Sequence, residues 1–145
     1  MAISIHLVYP MFAMFLLTVI TLIKMFIARR NALTAGNIKL SYFKTFTGGD
    51  QPEEVLKTGR HFTNLFEAPV LFYIVCILGM IIPLSDSYFV LLAWLYVAAR
   101  CLHAFIHMGN NKVMPRLKAY ALSWLILAIM WVCIFIKAIS ISNAT

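Results

Sequence analysis

Four long apolar runs are the feature that most restricts what this chain can fold into. The helices predicted on them cover about residues 5–28, 51–82, 86–108 and 115–140. Each is at least as long as the ~20 residues that a helix needs to cross the hydrocarbon core of a bilayer. Backbone polar groups inside a bilayer must be hydrogen-bonded within the structure, which favours helices. The sequence therefore predicts an all-α integral membrane protein, a single domain of four transmembrane helices.

The composition agrees with a chain that faces lipid. Of its 145 residues, 63% are hydrophobic and only 12% are charged, whereas soluble domains are roughly half apolar and a quarter charged. Because this small number of polar residues cannot cover a globular surface, the apolar excess must contact lipid. The net charge of +7 does not indicate nucleic acid as a partner, because the basic residues are not gathered in one stripe interleaved with aromatics.

The basic residues predict how the helices are oriented across the membrane. Nine of them lie in or beside the first and third connections: Arg29, Arg30, Lys39, Lys44, Lys57, Arg60, Lys112, Arg116 and Lys118. Lys137 alone falls at the opposite side. Because cytoplasmic loops carry the excess of Lys and Arg, we expect cytoplasmic first and third loops and extracytoplasmic termini. The membrane is either a bacterial inner membrane or an organelle membrane, and loop 29–50 is expected to lack regular structure.

The second helix is expected to begin in water. Asp50 is placed to cap its first turn, Pro52 suits a helix start, and Glu53 completes a capping-box pattern. A continuous helix from there to Pro83 would be roughly 45 Å long at about 1.5 Å per residue. Its first two turns should therefore project from the membrane.

A polar stripe follows this second helix into the bilayer. Its members are spaced four, three, four and three residues apart, which places them on one face: Glu53, Lys57, Arg60, Asn64 and Glu67. An isolated carboxylate at the depth of Glu67 costs at least a few kcal/mol, so it needs a partner. Arg100 lies at a similar depth on the antiparallel third helix, and we predict an ion pair between Glu67 and Arg100.

Polar residues on the third and fourth helices converge on the same region. Arg100, His103 and His107 share one face of the third helix, and Arg116, Tyr120 and Ser123 share one face of the fourth. These groups can serve simply to hold the bundle together through interhelical hydrogen bonds. Several cations without matching carboxylates repel one another, however, so an anionic ligand is the favoured interpretation.

A metal site is not predicted. His103 and His107 are four residues apart, which suits a metal ion, but no cysteine or carboxylate lies in phase with them on that helix. His61 points off the polar stripe, toward another helix or the lipid headgroups.

Two segments carry a resemblance to a known family. The first is Arg60-x-x-x-Asn64-x-x-Glu67 with Pro69, and the second is Arg100-x-x-His103-x-x-x-His107, followed nine residues later by Arg116 and then by Tyr120. With these motifs the chain resembles the MAPEG family, the membrane-associated proteins of eicosanoid and glutathione metabolism. The match covers most of the chain and is similar to the glutathione-using branch, which includes microsomal glutathione transferases and prostaglandin E synthase.

The resemblance implies a homotrimer of four-helix subunits, with glutathione as co-substrate at each subunit interface. Lipophilic substrates would enter from the membrane lipids. It implies that Arg116 is catalytic, because the matching arginine stabilises the glutathione thiolate. It also implies a set of residues that bind glutathione or frame its site: Arg60, Asn64, Glu67, His103, His107 and Tyr120.

Four positions depart from the family pattern. Pro69 falls two residues after Glu67 rather than farther along, so the kink of the second helix is expected to differ. His107 stands where the prostaglandin synthase branch has tyrosine, Thr63 where an arginine follows the family's histidine, and Leu117 where a serine follows the thiolate arginine. The favoured function is a glutathione-dependent transferase or peroxidase acting on lipophilic electrophiles, and the hydrophobic substrate stays open. A non-catalytic lipid-binding or scaffold protein of the same fold is the alternative.

A small proton-coupled drug transporter is a third hypothesis, because four short helices with one deep glutamate also describe that class. Pairing of Glu67 with Arg100 would make that carboxylate a poor proton carrier near neutral pH. The sequence therefore ranks transport behind the other two functions.

Overall fold

The protein is a bundle of long antiparallel helices. The computed structural model describes residues 5–45, 51–82, 84 and 87–143. After a short 3₁₀ turn at Ile5–Leu7, its helices are α1 (Val8–Thr34), α2 (Tyr42–Thr45), α3 (Glu53–Asn64), α4 (Ala68–Ile81), α5 (Ser87–Met108) and α6 (Val113–Ser142). Taken with α3 and α4 as one span, four of these segments are long and apolar enough to cross a membrane. The predicted all-α class and the number of spans are confirmed.

The first connection is more ordered than the sequence indicated. α1 continues to Thr34 and ends in a Schellman motif, in which the Asn37 amide donates to the Ala32 carbonyl and the Gly36 amide to the Leu33 carbonyl, both at 3.0 Å. Gly36 has the positive φ of 73° that this cap requires. α2 follows at Tyr42–Thr45. The expectation that loop 29–50 lacks regular structure is therefore wrong for the end of α1 and for α2. The predicted Asp50 cap lies outside the described residues.

The second span is broken in the middle, whereas the sequence predicts a single second helix over about residues 51–82. α3 ends at Asn64 and α4 begins at Ala68. The residues between them form backbone hydrogen bonds across three residues rather than four, such as the one from the Phe66 amide to the Thr63 carbonyl at 2.9 Å. Pro69 explains the break, because it has no amide hydrogen for the Leu65 carbonyl and its ring crowds that carbonyl. The interruption leaves backbone carbonyls available to side chains of other helices.

The core lies among α4, α5, α6 and the first half of α1. Phe72 and Tyr96 are fully buried and stack with ring centroids 4.4 Å apart. Gly79 lets α4 approach closely, since a Cβ there would lie 2.6 Å from Phe89 Cε1. The outward faces of α1 and α6 are apolar, with exposed residues such as Phe15, Phe135 and Ile136. This surface suits lipid or neighbouring subunits.

Candidate functional site

The helix break in the second span joins Arg100 to the polar stripe. Arg100 is fully buried, and its Nη2 donates to the side-chain oxygen of Asn64 at 2.6 Å and to the Asn64 backbone carbonyl at 3.2 Å. In an unbroken helix that carbonyl would be bonded to the amide of Ala68. The break therefore supplies an acceptor for a buried cation.

The predicted ion pair between Glu67 and Arg100 is wrong in its detail. Asn64 lies between the two charges: it accepts from Arg100 and donates from Nδ2 to Glu67 Oε2 at 3.1 Å. Among the described residues, no direct ion pair joins Glu67 to Arg100. The physical reason is that Glu67 lies in the turn that separates α3 from α4. Its side chain is exposed there, while Arg100 is buried.

A polar pocket of about 470 Å³ opens beside this arrangement. Its lining combines α3, the turn after it, α5 and α6: Arg60, Thr63, Asn64, Glu67, His103, His107, Val113, Arg116, Leu117 and Tyr120. All seven residues for which the sequence predicted a role toward glutathione are in this lining. Their convergence is a fact of the fold, whereas their roles stay predictions. Besides His107, two further positions that depart from the family pattern, Thr63 and Leu117, line this pocket.

The charge of the pocket lining is predominantly positive. Arg60 and Arg116 oppose the single carboxylate of Glu67. Within the described part of the chain, the Arg60 guanidinium has neither a hydrogen bond nor an ion pair. A free guanidinium in such a cleft is available for a carboxylate, which it binds with paired N–H groups.

Arg116 is held in place by the turn before its own helix. Its Nη1 donates to the side-chain oxygen of Asn111 at 2.6 Å, and Asn111 has a left-handed backbone with φ of 51°. The backbone carbonyl of Arg116 lies 3.2 Å from Nδ1 of His103. These two contacts tie the start of α6 to α5. No functional role was predicted for Asn111 from the sequence, and its contact with Arg116 was missed.

Tyr120 closes the inner side of the pocket. Its ring lies 5.5 Å from the His103 ring and 5.8 Å from Cζ of Arg100, measured to the ring centroid. The second distance is within the range of a cation–π contact. Tyr120 therefore links the pocket surface to the buried guanidinium.

Lys57 belongs to the predicted stripe but not to the pocket. Its side chain is largely buried, and Nζ contacts Glu54 at 2.8 Å and Glu53 at 3.5 Å. Nζ also donates to the carbonyl of Gly109 at 3.2 Å, just beyond the C-terminus of α5. Since the last carbonyls of a helix lack intrahelical donors, Lys57 connects α3 to the end of α5.

His61 is the residue that sequence reasoning misplaced most. It is fully buried, and its ring lies 5.5 Å from that of His103 and 5.2 Å from that of His107. The sequence predicted that His61 points toward another helix or toward the lipid headgroups, and the first of these is correct. Its contact with both His103 and His107 was not predicted. The available signal was its helical phase with Val55, Thr58 and Leu65, which are all buried.

The fold and the pocket together define a multi-pass integral membrane protein with a positively charged polar site between α3, α5 and α6. The sequence comparisons give its family. The MAPEG family model matches residues 7–136, so the chain belongs to the MAPEG family. No curated protein and no solved structure matches the chain.

Proposed function

We propose that this protein is a glutathione-dependent transferase or peroxidase acting on lipophilic electrophiles dissolved in the membrane. The observation that carries the proposal is the pocket in which Arg60, Glu67 and Arg116 converge from three segments of the chain. Membership of the MAPEG family, which is concerned with glutathione metabolism, supports the same substrate.

The charges of glutathione complement those of the pocket. The tripeptide carries two carboxylates and one ammonium, and the lining offers two guanidinium groups and one carboxylate. Arg60 is suited to a carboxylate and Glu67 to the ammonium, because opposite charges in a partly enclosed cleft attract more strongly than in water. Asn64, His107 and Tyr120 supply hydrogen-bonding groups around them, and His103 frames the site.

Arg116 is the residue to which we assign the catalytic role. A guanidinium beside the sulfur stabilises the thiolate and lowers the thiol pKa of bound glutathione. In the transferase reaction the thiolate forms a bond to an electrophilic carbon, and the leaving group departs with the electron pair. In the peroxidase reaction it attacks a hydroperoxide oxygen, so that the O–O bond breaks, an alcohol leaves and a sulfenic acid forms. The thiol of a second glutathione then attacks this sulfur, which forms the disulfide and releases water.

The assembly we propose is a homotrimer with its site at the subunit interfaces. Arg60, Thr63 and Glu67 are exposed on the surface of a single subunit, although their helix belongs to a membrane span. Charged groups facing lipid are costly, and a second copy would cover them. We further propose that this end of the bundle, with loops 1 and 3, faces the cytoplasm.

Turnover measurements test the proposal. Purified protein in lipid nanodiscs is assayed with glutathione and either a lipophilic aryl halide or an organic hydroperoxide. We expect activity that Arg116→Ala lowers by at least about 100-fold, the order found when a group that stabilises developing charge is removed. Lys118→Ala, an exposed basic residue of the same helix outside the pocket, is the matched control.

Absence of turnover with either substrate, in a protein that is folded, would favour the non-catalytic lipid-binding or scaffold alternative. The substituted positions Thr63, His107 and Leu117 are the observation behind that alternative. Membership of the MAPEG family disfavours a drug transporter. The direct pair of Glu67 with Arg100, which also disfavoured it, is not formed among the described residues.

A further inference from the structure

Three histidines from two helices meet in the interior of the bundle. His61 of α3 and His103 and His107 of α5 are all buried, and one ring nitrogen from each lies within 4.8 Å of the others. We call these residues the histidine cluster. Within the described part of the chain, no cysteine or carboxylate belongs to it.

Four ring nitrogens of the histidine cluster have no hydrogen-bond partners among the described residues. Both nitrogens of His61, Nε2 of His103 and Nδ1 of His107 are buried without a partner among the described residues. A buried polar atom left unpaired costs roughly 1–3 kcal/mol, and such groups are rare in native proteins. Four unpaired nitrogens in one place therefore indicate that something else binds there.

A second contact orients one of the rings as a metal ligand. His103 Nδ1 lies 3.2 Å from the carbonyl of Arg116, so Nδ1 carries the proton and donates it, which leaves a lone pair on Nε2, a buried atom with no partner among the described residues. A backbone carbonyl in this position is the usual partner of a histidine that binds a metal through its other nitrogen.

We propose that the histidine cluster binds a divalent transition metal, with Zn²⁺ as the representative ion. Neutral imidazoles are ligands for such ions, and three of them with one open position form a recognised type of zinc site. At a Zn–N distance of about 2.1 Å, tetrahedral ligand nitrogens lie roughly 3.4 Å apart. The rings reach that separation from 4.8 Å by small side-chain rotations.

The histidine cluster borders the pocket. His103 and His107 belong both to the cluster and to the pocket lining, whereas His61 lies behind them. Because the three ligands are neutral and Arg100 and Arg116 act electrostatically on these rings, the fourth ligand is an anion such as hydroxide or a thiolate. This inference goes beyond the proposed function and does not depend on glutathione binding.

Metal content and cobalt spectroscopy test the site without glutathione. The protein is purified with a tag free of histidine, loaded with Zn²⁺ or Co²⁺, dialysed and analysed for metal per chain. We expect one equivalent in the wild type and visible Co²⁺ bands of a tetrahedral site. His61→Gln, His103→Gln and His107→Gln should each weaken binding by at least about tenfold. His6→Gln, which alters the exposed fourth histidine, should bind as the wild type does.

A ligand substitution guards against variants that merely fold poorly. His61→Cys should keep the metal and add a thiolate-to-cobalt charge-transfer band, which a purely structural histidine would not produce. The proposal is overturned if folded wild type retains no metal, or if it retains metal that all three glutamine variants bind equally well. Either result leaves the glutathione proposal untouched, since turnover and glutathione binding are measured separately.

Discussion

The side chain of Asn64 accepts a 2.6 Å hydrogen bond from the buried guanidinium of Arg100. The same amide donates to Glu67 at 3.1 Å, so one residue connects a buried cation to an exposed anion. A guanidinium inside a membrane bundle needs acceptors, and Asn64 supplies two of them, from its side chain and from its backbone. The stability of the bundle and the arrangement of the pocket thus depend on one residue.

Asn64→Ala should destabilise the protein by about 2 kcal/mol, the range for a hydrogen bond to a buried charged group. Of its two hydrogen bonds to Asn64, Arg100 would keep the one to the backbone carbonyl. Denaturation in detergent, followed by circular dichroism, measures the change. Asn31→Ala, at an exposed helical asparagine, is the control and should change stability little. Equal stability of the two variants would show that the Arg100–Asn64 bond is unimportant.

Glu67→Gln should weaken glutathione binding by ~10-fold, equivalent to about 1.4 kcal/mol. The substitution keeps the size of the side chain and an acceptor for Asn64, but it removes the charge assigned to the ammonium of glutathione. Calorimetry compares it with Glu53→Gln, which changes an exposed carboxylate outside the pocket. Unchanged affinity in the Glu67 variant would remove this residue from the binding site.

Gly79→Ala and Gly59→Ala should shift stability in opposite directions. A Cβ at position 79 would lie 2.6 Å from Phe89 Cε1 and 3.2 Å from Leu7 Cδ1. A Cβ at position 59 would have no described residue outside its own helical turn within 4 Å. The first change should cost about 1–3 kcal/mol through overpacking. The second should stabilise α3 by up to about 1 kcal/mol through helix propensity. Thermal unfolding of both variants checks the pair, and a destabilised Gly59 variant would contradict the described packing of α3.

Lys57→Met should destabilise the protein by about 1 kcal/mol, because it removes the hydrogen bond from Nζ to the Gly109 carbonyl. The apolar stem of the new residue preserves the packing of a largely buried side chain. Lys118→Met, at an exposed site, is the control in the same unfolding measurement. If both variants unfold alike, the connection between α3 and the end of α5 adds nothing to stability.

The sequence predicts the helices well because their apolar runs leave few other structures possible. The break at residues 65–67 was harder to place. Pro69 was visible as a possible kink, but proline is tolerated inside membrane helices when neighbours satisfy the freed carbonyls. Whether the helix bends or breaks depends on Arg100, a residue of another helix.

The pocket was predictable to the extent that helical spacing places residues on shared faces. Arg60, Asn64 and Glu67 meet His103 and Arg116 as their spacing indicated. His61 shows the limit, because its position on the inner face of α3 becomes clear only when the packing of α3 against α1 and α5 is known. The prediction that Glu67 pairs directly with Arg100 was wrong for a similar reason. Two residues at the same depth in the membrane can lie on different sides of a helix or turn, and sequence spacing alone did not show this for Glu67.

Ultraviolet difference absorbance of the glutathione thiolate, recorded near neutral pH as the tripeptide is titrated into the purified protein, tests the central claim most directly. The wild type should show a saturable thiolate signal, and Lys118→Ala should show the same signal. In Arg116→Ala the signal should disappear while calorimetry still detects glutathione held by Arg60 and Glu67. A folded wild type that neither binds glutathione nor produces thiolate would contradict the account.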